Sequence, residues 1–224
     1  MGAVILQKEA HKNKRILLDI GMAGPLAGLV VAIPVLLIGL SLSKVSPLVI
    51  QPGEGTGLEG NSILYLLLKY IVFQRWLPEP PTFGGLSPLL YWIRYFFTGQ
   101  PSPVGGVDVQ LHPTAWAGWA GLLVTALNLI PAGQLDGGHI VHGLFGRKAS
   151  RLLPVVLVAL MLLGLVWPGW WLWVFLIFFL GRAYAEPLDQ ITALDPRRKM
   201  LAVLGLILFF LIFTPVPLQI IYGG

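Results

Sequence analysis

A chain of 224 residues with 56% hydrophobic and only 11% charged residues is not an ordinary soluble domain, in which about a quarter of residues carry charge. The formal charge of +5 would suit a nucleic-acid partner, but the cations flank apolar runs. That places them at membrane edges and excludes nucleic acid from the reading. With no cysteine in the chain, disulfides, thiolate chemistry and thiolate zinc sites are excluded as well.

The apolar runs predict an all-α, polytopic transmembrane helical protein with about five spans plus interfacial or re-entrant segments. The N-terminal GAVILQKEAHKNKR has too short an apolar run before its charges to read as a cleavable signal peptide. A first span is predicted over 19–43. It contains Gly24-Pro25-Leu26-Ala27-Gly28, whose small residues four apart admit a close helix neighbour, and Pro25 is expected to loosen the local ladder. A long connection, 44–111, follows. Its two apolar patches, 63–77 and 86–97, carry Lys69, Arg75 and Arg94 among Trp, Tyr and Phe, the composition of interfacial or re-entrant segments.

The second span is predicted over 112–131, where Ala117 and Gly121 offer a second small-residue face for packing on the first span. Spans three and four, 152–167 and 169–183, meet at Trp167-Pro168-Gly169, and the last covers 200–221. Eleven of the 15 cations lie before the first span, after the second, or from the very end of the fourth to the start of the fifth. With five spans these clusters share one face, so the N-terminus and the 132–151 loop are expected on the cytoplasmic side. Lys44, Lys69, Arg75 and Arg94 fall on the other side, balanced by Glu54, Glu59, Glu79 and Asp108.

The polar residues that this pattern leaves unexplained are concentrated in NLIPAGQLDGGHIVH, residues 128–142. Pro131, Gly133, Gly137 and Gly138 take the backbone out of helix near membrane depth, where it must be buried in protein or line a wet cavity. An acid there is a functional residue by default. Asp136, His139 and His142, spaced by three, read as a divalent-metal set on one helix face, although successive ligands would diverge by about 60°. Two alternatives stand beside it: Asp136 as the proton or cation carrier of a transporter, and Asp136 as the N-cap of a helix starting at Gly137.

The run Asn128-x-x-Pro131-x-x-x-Leu135-Asp136-Gly137-Gly138-His139 resembles the N-x-x-P-x-x-x-L-D-G signature of the site-2 protease family of intramembrane zinc metalloproteases. Asp19-Ile20-Gly21 and Gly24-Pro25-Leu26-Ala27-Gly28 are similar to the segment that follows the zinc-binding helix in that family, most of all in its cyanobacterial and chloroplast branch. The resemblance implies that Asp136 is the third protein ligand of a catalytic zinc. It further implies that Asn128, Pro131, Leu135 and Gly137 shape the pocket around the scissile peptide, and that His139 neighbours the aspartate without ligating. It implies no role for His142.

The same family requires a His-Glu-x-x-His helix, whose histidines hold zinc and whose glutamate acts as general base. None of His11, His112, His139 and His142 stands in such a motif, and Glu9-Ala10-His11 is only a partial echo within a charged segment. The chain is therefore expected to begin inside the family pattern, downstream of the zinc helix, with no catalytic residue of its own and no activity alone. The expected organisation is a partial protease-like membrane core, 1–146, followed by C-terminal transmembrane helices, 147–224.

The resulting expectation is an intramembrane zinc metalloendopeptidase that acts on a membrane-embedded segment, in a cell membrane or a thylakoid-type membrane. A non-catalytic membrane scaffold that keeps the fold and binds a partner is the alternative.

Overall fold

The computed structural model describes residues 13–53, 55–180 and 194–222. It is mostly helical, and its elements run in chain order as α1 (Lys14–Ser41), β1 (Lys44–Pro47), β2 (Gly55–Glu59), α2 (Ile63–Phe73), α3 (Pro88–Thr98), β3 (Val107–Gln110), α4 (Pro113–Asn128), α5 (Asp136–Phe145), a 3-10 segment (Gly146–Arg151), α6 (Leu152–Gly164), α7 (Gly169–Leu180), α8 (Pro196–Ile212) and β4 (Leu218–Tyr222). They form two compact units, residues 1–30 with 124–210 and residues 31–123 with 211–224.

Helix α1 begins where Asn13 Oδ1 accepts hydrogen bonds from the backbone N–H groups of Arg15 and Ile16, both at 3.1 Å, a side-chain cap for otherwise orphaned donors. Its 28 residues run unbroken through Pro25 and Pro34, so the loosening expected at Pro25 does not interrupt the helix. Among the described residues, α1 is the one helix long and apolar enough to cross a membrane. The other predicted spans appear as shorter helices: α4 with 16 residues, α6 with 13, α7 with 12 described and α8 with 17.

In the unit made of 1–30 and 124–210, α6 and α7 form a hairpin whose turn lies at the predicted Trp167-Pro168-Gly169. Trp167 and Trp170 meet edge to face across it at 5.7 Å, and Trp171 packs so near Gly164 that a methyl there would lie 2.9 Å from its ring. Helix α8 starts at Asp195, whose Oδ1 accepts the N–H of Arg198 at 3.0 Å. The Arg198 guanidinium also reaches Asp19 of α1 through Nε and Nη2, at 3.0 and 2.7 Å. Hydrogen bonds from Arg198 hold the Asp195 carboxyl below its usual range.

The unit made of 31–123 and 211–224 departs most from the all-helical expectation. It contains two two-stranded sheets: β1 antiparallel to β3, with Lys44 opposite Gln110, and β2 antiparallel to β4, with Gly55 opposite Tyr222 and Glu59 opposite Leu218. The predicted last span, 200–221, is thereby corrected, because it leaves helix after Ile212 and ends as a strand. The two aromatic patches are helices α2 and α3, N-capped by Ser62 and Ser87. The predicted balance of charges becomes specific pairs here, Arg75 with Glu79 and Lys69 with both Glu59 and Asp108. Lys69 is fully buried rather than reaching for headgroups.

Small residues bring α1 and α4 together in this unit. A Cβ at Gly39 would lie 2.1 Å from the Ala115 nitrogen, one at Gly118 would lie 2.5 Å from the Leu36 nitrogen, and one at Gly121 would meet Ala32 at 3.0 Å. The close face of α4 is thus Ala115-Gly118-Gly121, with Ala115 and Gly118 in place of the predicted Ala117. At the end of α1 the Ser43 hydroxyl donates to Gly39 O at 2.7 Å and accepts the His112 N–H at 2.9 Å.

Candidate active site

All residues that the signature singles out lie in the unit made of 1–30 and 124–210. Asn128 is the last residue of α4, and the backbone then turns through Leu129–Leu135. Short-range hydrogen bonds hold this turn: Ala132 N to Ile130 O at 2.7 Å, Leu135 N to Ala132 O at 3.3 Å, and His139 N to Leu135 O at 3.0 Å. Leu129, Ile130 and Ala132 are buried, so the loop is anchored by its apolar members. Asn128, Pro131, Leu135 and Asp136 are half-buried around it.

The paired glycines have a steric cause. A Cβ at Gly137 would stand 2.0 Å from Leu129 O, and one at Gly138 would stand 2.3 Å from Gly133 O. No side chain fits between the first turn of α5 and the loop that precedes it. Gly133 itself is in the left-handed region at φ 55°, a conformation that glycine adopts without a Cβ penalty.

Asp136 is the first residue of α5, with Leu135 as the N-cap and no side-chain capping bond at that position. The capping role considered for Asp136 is therefore not the one it plays. Its negative charge in the first turn is still favoured by the helix dipole. Burial pushes its carboxyl, which lies between the predicted spans, up to about 6, and a cation beside it would pull that value back down.

The carboxylate rests on α1. A Cβ at Gly24 would lie 2.9 Å from Asp136 Oδ2, and one at Gly21 would lie 2.8 Å from His139 Cβ and 3.0 Å from Asp136 O. One helical step further, a Cβ at Gly28 would meet Thr125 Oγ1 of α4 at 2.7 Å. Gly21, Gly24 and Gly28 therefore form a bare stripe that seats the first turn of α5 and the end of α4. Helix α8 closes on the same pair of helices, since a Cβ at Gly205 would meet Met22 Sδ at 2.6 Å and Ile140 Cδ1 at 3.0 Å.

Asp136, His139 and His142 do share α5, but they do not form the compact metal set that their spacing first suggests. His142 is buried, whereas Asp136 and His139 are half-buried on the α1 side. Among the described residues, no three His, Cys, Asp or Glu side chains are grouped to hold a metal ion. A catalytic zinc takes three protein ligands, so Asp136 and its described neighbours do not by themselves fit one. Glu9 and His11 lie outside the described residues.

Residues 1–166 match the profile of Peptidase family M50. The chain belongs to that family. The match covers α1, the 128–137 loop and α5, and it places the protein in the site-2 protease group that the signature resembles. The chain is 33% identical over 218 residues to an Arabidopsis thaliana protein named probable zinc metalloprotease EGY2, chloroplastic, covering 96% of this chain and 34% of that one. The protein of the same name from Oryza sativa subsp. indica is 30% identical over 220 residues, covering 96% and 35%. A probable zinc metallopeptidase EGY3, chloroplastic, of Arabidopsis thaliana is 35% identical over 148 residues, covering 59% and 25%. This chain spans about a third of the length of the EGY2 relatives. No solved structure matches it. The chloroplast-type relatives together with the length of α1 mark the protein as membrane-associated.

Missing from the sequence reading of the site was Thr125, and Gly21 was read only as part of the family resemblance, with no contact assigned to it. Only the fold shows that Gly21 faces His139 and that Thr125 faces Gly28.

Proposed function

We propose that residues 1–224 are the aspartate-bearing part of a multi-pass intramembrane zinc metalloendopeptidase that cleaves a membrane-embedded segment. The observation that carries this reading is the seating of Asp136 on Gly24, with the N-x-x-P loop wrapped behind it. The bare stripe of α1 and the close packing of Gly137 and Gly138 on the loop present one carboxylate from a fixed helix start, as a ligand supplied to a metal must be.

Asp136 would supply one ligand, and Asn128, Pro131, Leu135 and Gly137 would border the peptide. His139 would pack beside the aspartate. Bound zinc supplies Lewis acidity and a lowered water pKa, but two ligands and a general base must come from outside these 224 residues, which contain no H-E-x-x-H. The chain by itself is then inactive. The test is cleavage of a membrane-embedded reporter by residues 1–224 alone and by the same residues joined to an H-E-x-x-H helix. Activity of the first, or inactivity of both, would remove the proposal.

A second reading, a non-catalytic scaffold with a protease-like fold, is favoured by the same missing motif. It predicts that Asp136→Ala changes neither partner binding nor phenotype.

A further inference from the structure

The unit made of 31–123 and 211–224 contains a charged cluster for which the protease reading has no use. Lys69 of α2 is fully buried, with Nζ 3.7 Å from Glu59 Oε1 of β2 and 3.7 Å from Asp108 Oδ1 of β3. The ammonium also lies 4.6 Å from the Tyr65 ring centroid, and the Tyr65 hydroxyl donates to Glu59 Oε1 at 2.9 Å. Glu59 and Asp108 are 5% and 6% exposed. Two carboxylates and one ammonium leave a net negative charge in a place closed to water, where an uncompensated charge is expensive. One proton makes the cluster neutral.

Two further observations say where that proton goes. Asp108 Oδ1 accepts the Val109 N–H at 2.8 Å, so the oxygen that faces Lys69 already has a backbone donor. Glu59 lines a cavity of about 10 Å³ with Asn61, Tyr95 and Gln219, enough for about one water. Asn61 is 7% exposed, and its Oδ1 is buried with no hydrogen-bond partner among the described residues. A carboxylate has nothing to give that acceptor. A carboxylic acid donates, directly or through one water.

We propose that Glu59 is a proton-binding site whose occupancy sets the stability of the 44–111 connection. The proton is taken from solvent, neutralises the Glu59–Lys69–Asp108 cluster and supplies the donor for Asn61. Its return to solvent leaves a buried net charge that loosens α2 from β2 and β3. The groups facing Glu59 are Lys69 and Tyr65 from α2, Asp108 from β3, Tyr95 from α3 and the uncharged Gln219 from β4. From α4, the Trp119 Nε1 donates to the neighbouring Gly60 O.

Burial raises the Glu59 carboxyl to about 7, against the pull of Lys69 and with a push from Asp108. The folded state therefore binds this proton more tightly than the unfolded chain. The stabilisation is full below the ordinary carboxyl value of 4.5 and is lost as pH rises to about 7.

The test is amide hydrogen exchange of the whole 224-residue chain in micelles, corrected for intrinsic exchange. From about pH 6 to about pH 8, opening of α2 and β2 should rise about tenfold in the wild type. Glu59→Gln, which is neutral at every pH and still donates, should abolish that dependence. Asp108→Asn leaves one cation with one anion, so it should move the transition to lower pH even if the first variant fails to fold. A wild type whose opening is flat with pH would overturn the site. So would a folded Glu59→Gln that keeps the dependence, or an Asp108→Asn that leaves the transition in place.

Discussion

Asp136 touches α1 at Gly24, where the carboxylate Oδ2 lies 2.9 Å from the position that a Cβ would take. Two sequence motifs more than a hundred residues apart thus meet at one contact. The contacts differ in what they tolerate. At Gly24 the nearest atom is the end of a side chain, which can swing away, whereas at Gly118 it is the Leu36 backbone nitrogen at 2.5 Å, which cannot. Gly118→Ala should therefore destabilise by about 1–3 kcal/mol, as overpacking does, and Gly24→Ala by less. Thermal unfolding of the two variants checks the order.

Gly137→Ala is expected to be at least as harmful as Gly118→Ala, because its Cβ would stand 2.0 Å from Leu129 O. The turn of the 128–136 loop must then open, at about 1–3 kcal/mol or more. Amide exchange at 129–139 should rise before global unfolding.

Lys69→Met should be severely destabilising, by about 3–5 kcal/mol, since it removes the cation that compensates the buried acids Glu59 and Asp108. Adding Glu59→Gln and Asp108→Asn to Lys69→Met should recover much of the loss, although each added change alone weakens a contact. Denaturation of the single and triple variants measures this, and a triple variant no better than the single would contradict it.

The Arg198 contact with Asp19 is about one-third exposed on the arginine side, so its contribution is modest despite two short bonds. Arg198→Ala should lower stability only slightly, and salt should shrink the difference. The exchange Asp19→Arg with Arg198→Asp should recover part of the loss in a double-mutant cycle.

What was legible in the sequence is what depends on local spacing. The 128–139 signature, the glycine stripe of α1 and the Trp167-Pro168-Gly169 turn all stand in the fold where their residues predicted. What was not legible depends on distant partners. Lys69 sits in an aromatic, apolar run and reads as a headgroup cation, because Glu59 and Asp108 come from separate segments on either side of it. Strands β1 and β2 escape because proline and glycine break their alternation, and β3, VDVQ, is too short for its alternation to stand out. Strand β4 escapes because a short apolar tail such as LQIIY has no period that separates strand from helix. The equal numbers of acids and bases in 44–111 were the available signal for the buried cluster, but they showed neither which residues pair nor that the pairs are buried.

The most direct test of the protease reading is the zinc content and reporter cleavage of the whole gene product, wild type against Asp136→Ala. Wild type should carry zinc and cleave within the membrane-embedded segment. The variant should lose at least about a hundredfold in metal affinity, since even residues that only orient a ligand are worth 10–100-fold, and should not cleave. Equal zinc and equal cleavage in Asp136→Ala would contradict the account.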